Sequence, residues 1–424
     1  MNAKNMICLF FAATLMTEGA ALAHPPGDEQ LVLPGIHRLD GIDPDLPKGD
    51  LKPLKKLVRN AEFVGLGEAI HTSGGFYTAK HRLFRYLVEE MGFRGFGLEN
   101  PWTKAEGVAR YVETCEGSAQ EAMVPLFGVW ESAEMLELVE WMCEWNRTHP
   151  KKKDKLFFYG YDVQDTSAAS GPALIGFLER IGVPESDPKI AAILGCDHVV
   201  DRFFPFEPFP EERYQQCLAA LDAVEELFDE EEREIVRLTS KEDLGWAKVH
   251  LVSLQKYQEQ MFYLFTDELR AFRVRDEGMA IVAQAIRKLR GPREKVVLWA
   301  HNAHLSKNRA YDLDSMGTYL DQSLGRDYVA LALTASEVSI DWLGDCGLVT
   351  HPRGEDAVED LFAALSEDYL LVDLDFPRAE TPFLEPGKTY ELGWGPLVPR
   401  DGFDGIVYMR TSPAITPLAW PACP

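Results

Sequence analysis

Short apolar runs, several of them closed by an acidic residue or a histidine, recur near both ends of this 424-residue chain and restrict its fold more than any other feature. Glu62-Phe-Val-Gly-Leu-Gly-Glu68 reads as a strand. Phe76, Leu83, Phe84, Leu87, Val88 and Met91 then fall on one stripe of a helix that Gly92 stops, Phe93 to Glu99 reads as the next strand, and Leu156 to Asp162 as another. Strand, helix, strand in that order calls for a right-handed parallel crossover. The pattern returns after Gly291-Pro292 with Val296 to Ala300, Tyr328 to Thr334, Tyr369 to Leu374 and Ile406 to Met409. From Pro172 to Leu289 no strand is evident; Leu254, Tyr257, Met261, Leu264 and Phe265 recur at helical spacing, and Ala280 to Leu289 continues in that style. The expected fold is therefore α/β, a mostly parallel central sheet flanked by helices. Residues 24–171 and 291–424 form the core, and 172–290 an inserted all-helical lobe.

The N-terminus is set apart from that fold. Lys4 precedes an apolar stretch from Met6 to Met16, and Ala21-Leu-Ala23 gives the small-x-small pattern of a signal-peptidase site, so residues 1–23 read as a secretory signal. A membrane anchor needs about 20 apolar residues, and Thr17-Glu18 interrupts this run. The chain is expected to be exported, periplasmic or secreted, after cleavage near Ala23. Removing the signal also removes Cys8 and leaves Cys115, Cys143, Cys196, Cys217, Cys346 and Cys423, an even set that an oxidising compartment can pair. With 43 Lys and Arg against 68 Asp and Glu, the net charge of −25 repels phosphate backbones, so nucleic acid is not an expected partner. The acidic run from Asp229 to Glu234 reads as a solvated helix face.

Several standard sites are missing. There is no GxSxG elbow, HExxH pair or Walker loop, and Gly65-Leu-Gly67 continues as Glu68-Ala-Ile without a third glycine. Polar residues instead gather where strands end: Glu68 and His71 after the first, Glu99 on the second, Asp162 on the third, and His301-Asn-Ala-His304 after Val296 to Ala300. In a parallel sheet these ends share one edge, where ligands bind. Lys80, three and four residues before Leu83 and Phe84, sits on the apolar stripe of its helix and can reach the same rim to hold a carboxylate or an oxyanion. Phe203-Phe-Pro-Phe-Glu-Pro-Phe209 opens the lobe as a semi-rigid apolar segment, a brace against the sheet or a cover for a cleft.

In register, Gly65-Leu-Gly-Glu-Ala-Ile-His71, the segment from Lys80 to Glu99, Gly160-Tyr-Asp162, Arg275-Asp-Glu-Gly-Met-Ala280 and Trp299-Ala-His-Asn-Ala-His304 resemble the erythromycin esterase family. Met316-Gly317 and Leu324-Gly325 fit the same likeness, which runs from about Asp50 to beyond Ala332. The resemblance implies a hydrolase that opens a macrolide lactone or similar ester by activating water, without a serine nucleophile. It implies His71 as general base, with Glu68, Glu99, His301 and His304 as the other catalytic residues. Lys80, Asp162, Arg275 and Asp276 are the candidates for binding substrate or oxyanion. Some family members carry Arg where this chain has Lys80, a compact charge that does not form a bidentate fork. No cofactor is expected, and the expected partner is a small ester or lactone. Two other readings use the same residues: a divalent metal that acidifies water, and a non-catalytic accessory protein of envelope or exopolysaccharide metabolism.

Overall fold

The computed structural model describes residues 35–165, 169–196, 210–291, 294–308, 314–342, 344–349, 358–374, 390–391 and 396–422. The signal sequence ending at Ala23 and the Phe203–Phe209 segment lie outside the described residues.

A nine-stranded sheet forms the centre, built from β1 (Ile36–Arg38), β2 (Phe63–Leu66), β3 (Gly95–Pro101), β4 (Phe157–Asp162), β5 (Val296–Trp299), β6 (Tyr328–Trp342), β7 (Asp345–Val349), β8 (Tyr369–Asp373) and β9 (Gly405–Ser412). Their spatial order is β1-β8-β9-β6-β2-β5-β3-β4, with β7 added to β6. From β9 to β4 every neighbouring pair is parallel; β8 on β9, β1 on β8 and β7 on β6 are antiparallel. The expected mostly parallel α/β sheet is thus present, with three additions that no pattern announced. β1 is only three residues long, β6 continues past Thr334 to Trp342, and β7 folds back on that extension.

Both faces of the parallel strands are buried, which is why they read as unbroken apolar runs. Along β5, Val297 and Trp299 enter one core cluster, and Val296 and Leu298 enter the other. The first cluster is completed by the helix Gly74–Met91 through Phe76, Leu83, Phe84 and Leu87. That helix ends at Gly92, whose φ of 74° is the left-handed cap glycine tolerates. Between β4 and β5 every described element is a helix, and a separate cluster around Leu178, Leu221, Phe228 and Leu251 holds them together. The last of them, Glu268–Arg290, turns Met279, Val282, Ala283 and Ile286 into the sheet's second cluster. That contact carries Arg275 and Asp276 to the sheet. The acidic residues from Asp229 to Glu234 are exposed where the helices Glu211–Glu230 and Glu232–Leu238 meet. Cys115 pairs with Cys143 and Cys196 with Cys217.

The turn after β2 leaves no room for a side chain at Gly67. A Cβ there would lie 2.0 Å from Asn302 Oδ1 and 3.2 Å from the Leu331 carbonyl. The Gly67 N–H donates to that same carbonyl at 2.8 Å, and Asn302 Nδ2 donates to the Leu333 carbonyl at 3.0 Å. Gly67→Ala is expected to destabilise the fold by about 1–3 kcal/mol, the usual cost of overpacking. Urea unfolding of the two proteins measures it.

Candidate active site

The carboxyl ends of β2, β3, β4 and β5 deliver their polar residues to one place. Glu68 follows β2 by two residues and is fully buried. Its Oε1 lies 2.5 Å from His71 Nδ1, and its Oε2 accepts from Lys80 Nζ at 2.8 Å and from Trp299 Nε1 at 3.0 Å. A carboxylate only accepts, so Nδ1 of His71 carries the proton and Nε2 presents its lone pair. That nitrogen lies 4.0 Å from Glu99 Oε2, beyond hydrogen-bond length. The imidazole is 21% exposed, whereas Glu68 and Lys80 have no exposed side-chain surface.

Lys80 therefore does one of the two things expected of it. It holds a carboxylate, with its ammonium 4.3 Å from the centre of the Trp299 ring, and it is sealed from any bound oxyanion. Burial pulls its pKa down from 10.5 to about 8 even though Glu68 opposes the shift, so the group is still charged at neutral pH.

A second cluster surrounds Glu99. Arg275 Nη2 donates to Glu99 Oε1 at 2.7 Å and to Asp162 Oδ2 at 2.8 Å, while its Nε donates to Asp162 Oδ1 at 3.1 Å. This fork is the bidentate geometry that suits a buried guanidinium. The other Glu99 oxygen accepts the His301 backbone N–H at 2.9 Å. Although burial alone would raise the Glu99 pKa, the charge and hydrogen bond of His304, together with Arg275, hold it well below the usual carboxylate range. Burial likewise works against the charge on Arg275, and Asp162 and Glu99 overcome it.

The two histidines of the loop after β5 have opposite protonation. His301 Nε2 donates to the Ala69 carbonyl at 2.7 Å and its Nδ1 accepts the Ala303 N–H at 3.1 Å. Burial, with the nearby His71 and His304, keeps it well below its ordinary pKa, so it is neutral. With both ring nitrogens engaged by backbone, His301 braces two loops. His304 is charged instead. Burial opposes the proton, but Asp276 at 2.8 Å from Nδ1 and Glu99 at 3.3 Å from Nε2 raise its pKa from 6.5 to about 10. Nε2–H then belongs to Glu99, and the 3.2 Å approach of Arg275 Nη1 to the same nitrogen is a contact between two cations. Oδ1 of Asp276 also accepts the Met316 N–H at 2.7 Å, which ties His304 to the next helix.

All nine expected site residues thus lie in two touching clusters, Glu68–His71–Lys80 and Glu99–Asp162–Arg275–Asp276–His304, with His301 between them. The aromatic frame escaped the sequence reading. Trp130 stands edge-on to His71 at 5.2 Å between ring centroids and donates Nε1–H to the Glu99 carbonyl at 3.1 Å. It sits in an irregular segment where no periodicity marks it; Trp299 is adjacent to the histidine loop and was the more visible of the two.

His304 and Lys80 make stability depend on pH in opposite directions. His304 binds its proton more tightly when folded, so its contribution is complete below pH 6.5 and lost as pH rises toward 10. Lys80 binds its proton less tightly when folded, and from about pH 8 to 10.5 it offsets that loss. Between pH 6.5 and 8 the contribution of His304 falls by about 2 kcal/mol, while His37, His81, His250 and His301, whose pKa is lower in the fold, work in the opposite direction. Denaturant unfolding at the two pH values should therefore show wild-type stability changing less favourably with rising pH than that of His304→Asn, by about 2 kcal/mol.

The family model for erythromycin esterase matches residues 88–412. YbfO of Bacillus subtilis (strain 168) is 22% identical over 390 residues, 85% of this chain and 86% of its own length. Erythromycin esterase type II of Escherichia coli is 24% identical over 325 residues, 69% of this chain and 73% of its own. Among solved structures, a variant of erythromycin esterase EreC in its open conformation superposes with a TM-score of 0.71 at 20% identity, covering 90% of this chain and 98% of that one.

Proposed function

The chain belongs to the erythromycin esterase family of hydrolases, and from that membership we propose that it is an exported enzyme that cleaves a carboxylic ester or lactone with water activated by His71. One observation carries the proposal: the Nδ1–H of His71 is fixed on a buried carboxylate, while the ring is partly exposed and its Nε2 lies 4.0 Å from Glu99. An imidazole so oriented is a general base whose developing positive charge Glu68 stabilises. Nε2 takes a proton from water as the water oxygen bonds to the ester carbonyl carbon. The carbonyl oxygen becomes an oxyanion. When the tetrahedral intermediate collapses, the carbon–oxygen bond to the leaving group breaks, and the proton on His71 passes to the departing alkoxide. The products are a carboxylic acid and an alcohol, joined in one molecule if the substrate is a lactone.

His304 and Arg275 are the cations best suited to stabilise the oxyanion, acting through their charge because the His304 N–H groups are held by Asp276 and Glu99; both are slightly exposed, whereas Lys80 is sealed and His301 is neutral. Asp162 and Asp276 orient that pair. A metal fits this donor set poorly. Glu99 and Asp162 direct their oxygens at Arg275 and the His301 N–H, and among the described residues no three potential ligands converge on an ion. Export is supported by the disulfides Cys115–Cys143 and Cys196–Cys217, since such bonds persist in oxidising compartments. Among the described residues no helix is long and apolar enough to cross a membrane.

His71→Ala is expected to abolish turnover of chromogenic esters and macrolactones, a loss of at least about a thousandfold, with an unchanged circular dichroism spectrum. Full activity in this variant would overturn the assignment of the base. Dialysis against EDTA should leave wild-type activity intact, and its loss would favour the metal reading. A panel without any turnover, together with thermal stabilisation by glycans, would favour an accessory role.

A further inference from the structure

The residue that follows the base has an unfavourable backbone. Thr72 has φ of 63°, in the left-handed region that a β-branched residue avoids. Such strain persists only where the surroundings over-determine it, and here the surroundings can be named. Thr72 is fully buried. Its carbonyl accepts the Ile415 N–H at 3.1 Å and, at 3.4 Å, the N–H of Asp341 near the end of β6. Its own N–H points at Tyr77 Oη, 3.3 Å away, and that hydroxyl donates to the Val129 carbonyl at 2.9 Å.

Ile415 belongs to a short segment, Pro413 to Leu418, that continues from β9 along both loops flanking the site. On one side the Ser73 and Ser412 hydroxyls pair at 2.6 Å, Ser73 and Ala414 form an antiparallel bridge, and the Pro413 carbonyl accepts the Gly74 N–H at 2.7 Å. A Cβ on Gly75 would come within 2.5 Å of Ser412 Oγ, which shows how closely the segment lies on the start of the helix. On the other side the Thr416 carbonyl accepts the Ala133 N–H at 2.8 Å, and the Leu418 N–H donates to Glu131 at 2.9 Å, immediately after Trp130. One strap therefore holds the turn bearing His71 and the turn bearing Trp130.

We propose that the strap from Pro413 to Leu418 is a positioning element for the hydrolytic base: by holding Thr72 in its left-handed conformation it aims His71 at Glu68 and Glu99. The inference rests on the reading of His71 as the base. Without the strap, Thr72 relaxes to negative φ and the preceding imidazole leaves the Glu68 carboxylate. The loss falls on the chemical step, so kcat drops while KM holds.

Ile415→Pro deletes the N–H that Thr72 accepts and suits the extended conformation of Ala414, the residue before it. Ile415→Ala keeps the N–H and matches the lost packing. Steady-state ester hydrolysis is expected to show kcat of Ile415→Pro about tenfold below that of Ile415→Ala, the population shift that a left-handed bias of this size implies. Adding Thr72→Gly, which enters the left-handed region without penalty, should restore kcat severalfold. A strap that merely packs the fold would lower the Tm of the proline variant and gain nothing from Thr72→Gly. Equal kcat for the proline and alanine variants, or no recovery in the double variant, overturns the proposal. If Ile415→Pro does not fold, Ser412→Ala with and without Thr72→Gly gives the same comparison. His71→Ala separates the two failures. If it is active, the reading of the base falls; if it is inactive while the strap variants behave like wild type, only the strap inference falls.

Discussion

The fully buried carboxylate of Glu68 is the interaction on which the rest of the site depends. It is placed by β2, and it accepts from a residue three positions on, from the helix packed over the sheet and from the end of β5. A buried carboxylate must be matched by charge and hydrogen bonds or it destabilises the fold. Lys80, itself sealed under Trp299, supplies the charge. The same satisfaction that makes Glu68 tolerable fixes the tautomer of His71, so the stability of the core and the readiness of the base have one origin. Replacement of Lys80 by an uncharged residue would leave an uncompensated charge in the core, and fold and chemistry would suffer together.

The sheet explains how such a cluster can be assembled. In the parallel strands β2, β3, β4 and β5, apolar residues fill both faces and polar ones appear only where the strands stop. That switch is visible in the chain, which is why the α/β class and the rim were legible before any coordinates. Glu68, Glu99, Asp162 and the histidine loop could be placed by counting to the end of an apolar run. The antiparallel margin was not legible, because β1 is three residues long and the turn into β7 falls within an extended run. Nor was the strap, whose hold on residues 72–75 is made by backbone groups almost independent of side-chain type.

Residue roles were harder to read than residue positions. His301 and His304 are three residues apart, one capping and one inside the four-residue helix Asn302–Leu305, and sequence treats them alike. Their difference comes from partners in distant segments: the Ala69 carbonyl for one, and Asp276 for the other. The carbonyl requires a proton on one ring nitrogen while a backbone N–H fills the other, which fixes a neutral ring. Two carboxylates require protons on both nitrogens, which fixes a cation. Lys80 illustrates the same limit. Helical spacing placed its ammonium toward the sheet, but only the depth of burial decides that it serves Glu68 and not the substrate.

The charges in the two clusters bear on the reaction itself. Four carboxylates, Glu68, Glu99, Asp162 and Asp276, face three cations, Lys80, Arg275 and His304, while His301 is neutral. With His71 neutral the assembly carries one uncompensated negative charge. Transfer of a proton from water to His71 cancels it within a low-dielectric setting, where such a change is worth more than in solvent. The hydroxide equivalent then leaves with the substrate as part of the tetrahedral oxyanion, next to the His304 and Arg275 cations. The chain's net charge of −25 plays no part in this local balance. What matters is that four acids at the rim face three cations, so the site carries one negative charge before the proton from water arrives.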